Sequence, residues 1–368
     1  MAGAFFQGKK VFVTGHTGFK GAWLCVLLLK HGAAVTGYSL SPEPGSLFTL
    51  CGLRDHVTSV HGDIRDGETL HAAVARARPD IVIHMAAQSL VLRGYASPHY
   101  TYDVNVMGTV NILESLRAVP VGAFINVTTD KVYRNDESAG HDGSIGPDGG
   151  IGNDARSRGF TEDDTLDGRD PYSNSKSCSE LVTGCYRDSF FSGAAMGIVT
   201  VRSGNVIGGG DFSPDRIIPD CVRAALAKQV IRIRNPEAVR PYQHVLEPLS
   251  AYLGIARERY GRQIRPGAFN IGPEPEDCIT TSALATLFCR EWGENLSWSV
   301  PEERQPYQES QKLMLDCALA KNTLGWRPRW NIEQAVKKVV EWTRVYAAGA
   351  GVMKEMERQM DVFEEDTA

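Results

Sequence analysis

Long apolar runs are missing: even the run 23–29 is far shorter than the roughly 20 residues a membrane helix needs. The first strand-like stretch begins near residue 9, which leaves no room for an apolar signal core and its cleavage site, so secretion and membrane insertion are not expected. Neither sign of charge dominates. With 39 Lys and Arg against 44 Asp and Glu, the formal net charge is −5, so the chain has no basic excess of the kind that nucleic acid or an anionic membrane attracts. Cysteine pairs are missing too. The eight cysteines, at 25, 51, 178, 185, 221, 278, 289 and 317, form no C-x-x-C spacing and no dense framework, which favours a reduced, cytoplasmic chain. No spacing of His, Cys and carboxylates suggests a metal, and His84 and His244 read as packed side chains.

What is present is an average globular composition, 42% hydrophobic and 23% charged over 368 residues, enough for one large α/β unit or two coupled ones. Short β-branched runs at 10–14, 34–38, 57–61, 81–85, 124–128 and 198–202 alternate with helix-period stretches at 20–31, 67–78, 104–117 and 172–189. This alternation, with nearly continuous apolar strands such as Ile81-Val82-Ile83, predicts a doubly wound parallel sheet of the Rossmann type, with helices on both faces. After residue 203 the pattern changes to short strands and helices, among them 230–234, 269–272 and a helix over 331–347, and predicts a smaller mixed α/β unit. The stretch 134–171 is polar, holds eight glycines and shows neither period, so it reads as a long surface loop placed to act as a lid.

Gly15-His16-Thr17-Gly18-Phe19-Lys20-Gly21 follows the first strand and opens the first helix. Glycines there permit a tight turn and a close backbone approach to a pyrophosphate, while the free amides of the helix start face its charge. The second strand ends in Tyr38-Ser39-Leu40, with neither the acidic residue that reads a ribose nor an arginine for a 2′-phosphate, and Asp63-Ile64 at the end of the third strand has the composition to hold an adenine edge. NAD is favoured over NADP. Further along, Tyr172 and Lys176 share a helix face four residues apart, an arrangement in which an ammonium draws the phenol pKa down. Thr129-Asp130-Lys131 ends a strand at the carboxyl edge of the sheet, where open α/β folds bind ligands; a capping turn is the plain alternative. A carboxylic acid at Asp130 is what protonation of a leaving hydroxyl needs, and simple alcohol oxidation does not need it.

Taken together, Gly15-x-x-Gly18-x-x-Gly21, His84-Met85-Ala86-Ala87-Gln88, Asn105-Val106-Met107-Gly108-Thr109, Tyr172-x-x-x-Lys176 and Arg202-Ser203-Gly204-Asn205-Val206-Ile207-Gly208 resemble the extended short-chain dehydrogenase/reductases, the NAD-dependent epimerases and dehydratases. Thr129-Asp130-Lys131, Asp215-Arg216-Ile217-Ile218-Pro219, Ile233-Arg234-Asn235-Pro236 and the run 240–249 narrow the likeness to nucleotide-sugar 4,6-dehydratases, over about residues 5–345. The resemblance implies tightly held NAD, the substrate CDP-D-glucose and a reaction in which hydride leaves carbon 4, water is lost across carbons 5 and 6, and the hydride returns to carbon 6. It also implies the following roles. Tyr172 is the base at the carbon 4 hydroxyl, supported by Lys176; Thr129 bonds that hydroxyl, and Asp130 is the acid at carbon 6. Lys131 stands where many relatives carry a Glu as carbon 5 base, so it must either lose its charge or leave that task to another group.

The cofactor contacts implied are Gly15, Thr17, Gly18, Phe19, Lys20, Gly21, Asp63, Ile64, Ala86, Ala87, Gln88, Asn105, Tyr172 and Lys176, and the substrate contacts are Gln88, Ser203, Asn205, Arg216, Arg240 and His244. The implied division is 1–200 with 237–262 for the dinucleotide, 201–236 with 263–350 for the nucleotide sugar, and 351–368 as a tail. A homodimer or homotetramer is implied, with the helices 104–117 and 172–189 as contact surfaces. The rival readings are a 4-epimerase, a dehydratase of GDP-heptose or a UDP-sugar, and a dinucleotide sensor without chemistry.

Overall fold

The computed structural model describes residues 3–135, 158–301 and 312–366. Its centre is a parallel sheet of seven strands: β1 (Lys10–Thr14), β2 (Ala34–Ser39), β3 (Thr58–His61), β4 (Ile81–His84), β5 (Ala123–Val127), β6 (Gly197–Ser203) and β7 (Ala268–Ile271), in the order β7-β6-β5-β4-β1-β2-β3. The order reverses between β1 and β4, and the crevice at the carboxyl ends of these strands is where a doubly wound sheet takes its ligand.

Side-chain alternation along the strands explains why both faces are covered. Val11, Val13, Ile81, Ile83, Ile125 and Val199 join one core with the helices Phe19–Lys30, Leu246–Arg259 and Val352–Glu365. Phe12, Val82, Phe124 and Ile198 point the other way, into a core shared with Gly67–Ala77 and Gly108–Arg117. A third core, built on Ile218, Val222, Ile231, Ile233, Leu284, Phe288, Val336 and Val339, belongs to the smaller unit. The helix Ile332–Ala347, closed at its start by a reciprocal Asn331–Gln334 capping box, gives Val336 and Val339 to that third core and Trp342 to the first, so it joins the two units.

The six strands expected from the sequence are present with bounds shifted by about a residue. Three expectations need correction. The run 269–272, expected in the smaller unit, instead pairs with β6 as Ala268–Ile271, the seventh strand of the main sheet, because Phe269 and Ile271 are wholly buried in its core. The tail is a 14-residue helix, Val352–Glu365, whose Val352, Met356, Met360 and Phe363 recur at helical spacing and bury themselves beside the first helix. The helix expected over 104–117 starts earlier, at Pro98, and passes through a π-helical turn at Asp103–Met107 before Gly108–Arg117. Of the expected loop and lid 134–171, residues 136–157 lie outside the described residues. The part after them is not free loop: Phe160 bridges to Leu315, and Leu166 to Tyr133.

Candidate active site

The first glycine loop is as tight as a pyrophosphate cradle requires. Gly15 has φ +76°, and a Cβ there would stand 2.8 Å from the Ala86 nitrogen; a Cβ on Gly21 would stand 2.2 Å from the Gly15 oxygen. Gly18 caps the helix Phe19–Lys30 with no side chain of its own, so the first amides of that helix face the cleft. Beneath the loop the ring of His16 fills the space a Cβ on Gly37 would need, and its Nε2 is 2.7 Å from Ser59 Oγ. Burial pushes His16 down to about 4, so it is a neutral packing and hydrogen-bonding group. Thr17 Oγ1 lies 2.8 Å from Ser39 Oγ at the end of β2, and Asp63 is held by Arg65, whose Nη2 donates to it over 2.7 Å.

The second wall comes from β5 and the helix Pro171–Ser189. Asp170 caps that helix by accepting from the Ser173 amide at 3.0 Å, and Pro171 fixes its first turn. Three successive turns meet the end of β5. Tyr172 comes up beside Thr129, Lys176 Nζ donates to the Val127 carbonyl at 3.1 Å, and Glu180 accepts from Thr128 Oγ1. Thr129 opens a turn of 3₁₀-helix, Asp130–Val132, and donates to Asp130 Oδ1 over 3.0 Å. Asp130 Oδ2 has no hydrogen bond to any described residue.

Burial decides the charges here. It raises the Asp130 carboxyl, against the opposing pull of Lys131, Thr129 and Arg240. It pushes the Tyr172 phenol up to about 12, with Thr129 and Arg216 as the groups that pull it down. Lys176, expected from the sequence to lower the phenol, stands one turn along the same helix. Lys176 spends its ammonium on Val127, and is itself brought down to about 8 by burial and by Lys20, with Glu180 opposing. Lys20, whose Nζ donates to the Tyr252 hydroxyl at 2.9 Å, is lowered to about 7 by burial and by Arg216.

These groups share one cleft of about 870 Å³, lined by Gly15, Thr17, Gly18, Phe19, Lys20, Gly21, Asp63, Ile64, Ala86 and Ala87 on one side and by Thr129, Asp130, Lys131, Tyr172 and Lys176 deeper in. Ser203, Asn205, Arg216 and Arg240 line it too, as do Arg232 and Arg234. Arg216 crosses between the units, donating to Asp211 at 3.0 Å and to Ser89 at 3.1 Å.

Three expected contacts are not on this wall. Gln88 spends its side chain on Leu90 and Thr101. Asn105, at the π-helical turn, is used up by the Gln88 backbone and Ser175. His244, proposed for substrate, packs between Trp23 and Trp330, and burial brings it down to about 3. Conversely, the sequence reading missed Glu180, His16 and Tyr252. The one available signal was that Glu180 lies four residues beyond Lys176, on the same helix face.

A glycine-cradled crevice at a sheet switch point, beside a buried Tyr, Lys and Asp, is the outline of a dinucleotide-dependent enzyme of the Rossmann class. Residues 11–272 match the model of the NAD dependent epimerase/dehydratase family, and the chain belongs to that family. It is 43% identical to CDP-glucose 4,6-dehydratase of Salmonella typhimurium, over 95% of this chain and 94% of that one. It is 26% identical to dTDP-glucose 4,6-dehydratase of Xanthomonas campestris pv. campestris, over 90% and 92%. Among solved structures, UDP-glucose 4-epimerase of Thermotoga maritima superimposes with a TM-score of 0.73 at 22% identity, covering 91% of this chain and 99% of that one. The NAD complex of dTDP-glucose 4,6-dehydratase from Bacillus anthracis gives 0.71 at 22%, covering 94% and 99%. These two likenesses establish the fold.

Proposed function

We propose that the chain is a nucleotide-sugar 4,6-dehydratase that converts CDP-D-glucose to its 4-keto-6-deoxy product with NAD. The observation that carries this reading is that Tyr172, Thr129 and Asp130 line one cleft. A phenol and a carboxylic acid share that wall, Thr129 donates to the acid, and the acid keeps one oxygen unbonded among the described residues. The cradle at Gly15 and Gly21, which a Cβ would fill, fits the cofactor's pyrophosphate. When bound, NAD supplies a hydride acceptor and a positive ring charge that offsets the cost of a buried phenolate.

Tyr172 then takes the proton of the carbon 4 hydroxyl, Thr129 orients that hydroxyl, and Lys176 carries the compensating charge. Asp130, kept protonated by burial, gives its proton to the carbon 6 hydroxyl as the carbon–oxygen bond breaks, so that water leaves. Lys131 is the residue to which this reading gives the carbon 5 proton, a task only its neutral amine performs. Ser203, Asn205, Arg216 and Arg240 bind the nucleotide diphosphate. The smaller unit, without the seventh strand, holds the nucleotide. The exposed Met107, Leu181 and Phe190 on the helices around 98–117 and 171–189 support assembly as a homodimer or homotetramer. Among the described residues no helix is long and apolar enough to cross a membrane, and we place the enzyme in the cytoplasm.

The test uses CDP-glucose carrying deuterium at carbon 4, with UDP-, dTDP- and GDP-glucose run alongside. The expected result is a 4-keto-6-deoxy sugar with the label on carbon 6 of the same molecule, fastest from the CDP sugar. Release of free NADH, or label retained at carbon 4, would overturn the reading.

A further inference from the structure

Glu180 takes no part in the chemistry described above, yet both its carboxylate oxygens are occupied in a place closed to water. Oε1 accepts from Thr128 Oγ1, and Oε2 accepts from Thr200 Oγ1 at 2.6 Å and from Arg202 Nη2 at 3.0 Å. The side chains of Glu180 and Arg202 are only 3% and 5% exposed. Arg202 extends the network: its Nη1 donates to the Tyr133 hydroxyl and to the Glu162 carbonyl, each at 2.9 Å, and Tyr133 donates to Asn270 Oδ1 at 2.6 Å. The network therefore starts on the helix that carries Tyr172, passes the ends of β5, β6 and β7, and ends in the segment that leads back into that helix. A buried ion pair contributes little net stability compared with well-packed apolar groups, because desolvation cancels most of the attraction. Its return lies elsewhere. Lys176 and Glu180, one turn apart, grip consecutive residues, the Val127 carbonyl and the Thr128 hydroxyl, directly before Thr129-Asp130-Lys131.

We propose that Glu180 is a positioning residue for the reaction: with Arg202 it fixes the end of β5 against the 171–189 helix, keeps Thr129 and Asp130 in register with Tyr172, and supplies the anion that faces Lys176. This rests on the dehydratase reading for its kinetic consequence, though not for its structural one. The charged and titratable groups around Lys176 are Lys20 from the first helix, His84 from β4, and Glu180 on its own helix. Lys20 opposes the ammonium, His84 is held neutral by burial, and Glu180 favours the ammonium.

The test compares the NAD-loaded wild type with Glu180→Gln and Glu180→Asp, by kcat and KM across pH and by hydrogen exchange at residues 127–133. For Glu180→Gln we expect kcat to fall about 100-fold with KM nearly unchanged, the loss that a misplacement near 1 Å produces. The alkaline limb of kcat, where Lys176 loses its proton, moves to lower pH, and amide exchange at 127–133 speeds up at least about tenfold, the factor of one 1.4 kcal/mol opening step. Glu180→Asp, which keeps the charge, returns the limb to its wild-type position. If Glu180→Gln does not fold, the double variant Glu180→Gln with Arg202→Met removes both charges; positioning predicts a folded protein with low kcat and fast exchange at 127–133. A limb and an exchange rate that both stay at wild-type values in the folded variant overturn the proposal. If the wild type carries no label from carbon 4 to carbon 6, the dehydratase reading fails, and the exchange measurement still decides the positioning role.

Discussion

Asp130 Oδ2 lies 3.1 Å from the place a Cβ would take on Gly204, so the acid of the candidate site is packed directly against a position that tolerates no side chain. The same Cβ would stand 2.5 Å from Pro241 Cγ and 3.0 Å from the Pro241 carbonyl. Gly204→Ala must therefore push the proline, and it crowds the carboxylate as well. Overpacking of this kind costs about 1–3 kcal/mol, and the variant is expected to be destabilised by that amount in denaturant melts. Its turnover should fall much further than its stability, because the carboxylate it crowds is the group that must stay aimed at the departing hydroxyl. Wild-type turnover in a variant that melts early would show that Asp130 has no precise position to lose.

Tyr172→Phe removes one oxygen from a buried ring whose burial already favours the neutral phenol, so it is expected to fold and to keep NAD. A positioned acid or base contributes about 10²- to 10⁴-fold, and kcat should drop by that factor. Cofactor retention is read from the absorbance of the purified protein after reduction. Near-normal turnover would move the base to another residue.

Asp130→Asn keeps the shape of the side chain and cannot release a proton to a departing hydroxyl. Dehydration should slow by at least about 100-fold while the first hydride transfer slows less, so the reduced cofactor accumulates in single-turnover experiments. Equal slowing of the two steps would take the acid role away from Asp130.

The sheet was legible in the sequence because each strand is a short apolar run and each face has its own partners; Val11 and Val13 against Phe12 are enough to show the alternation. The strand Ala268–Ile271 was misplaced because its partner, β6, lies far back in the chain and no local pattern says which sheet an apolar tetrapeptide joins. Within the site, Tyr172, Lys176 and Asp130 were legible because spacing puts them where they are. Gln88 and Asn105 were misread for a physical reason: a motif identifies the residue but not the direction of its side chain, and Asn105 turns onto the Gln88 backbone, 17 positions back, while Gln88 turns onto Leu90 and Thr101. His16 and Glu180 were overlooked because their partners, Ser59 and Arg202, are 43 and 22 residues away.

Gly21→Ala tests the cradle. The added carbon would meet the Gly15 oxygen at 2.2 Å and the His16 Cα at 2.7 Å, both backbone atoms that cannot rotate away. The helix start must then move off the loop, and its amides no longer converge on a pyrophosphate. Affinity for NAD should fall at least about tenfold, a loss of 1.4 kcal/mol, in calorimetric titration. Unchanged affinity would mean that the cofactor's phosphates are held elsewhere.

The pH dependence of stability should carry opposite contributions from two kinds of buried group. Burial lowers His84 to about 3 and His16 to about 4, below the value of 6.5 in the unfolded chain. The unfolded state therefore takes up their protons first, and stability falls as pH drops below about 6.5; at pH 5 each histidine has withdrawn about 2 kcal/mol. Glu247 has the reverse sign. Burial raises it to about 7 from 4.5, with its Oε1 accepting from the Arg329 and Trp330 amides, so the folded state takes up its proton first and gains about 2 kcal/mol as pH falls from 7 to 5. His84→Gln should thus lose less stability than the wild type between pH 8 and pH 5, and Glu247→Gln should lose more. Denaturant melts at the two pH values measure both differences. Two variants that shift in the same direction would contradict the assignment of a neutral His84 and a neutral Glu247 to the folded state at pH 5.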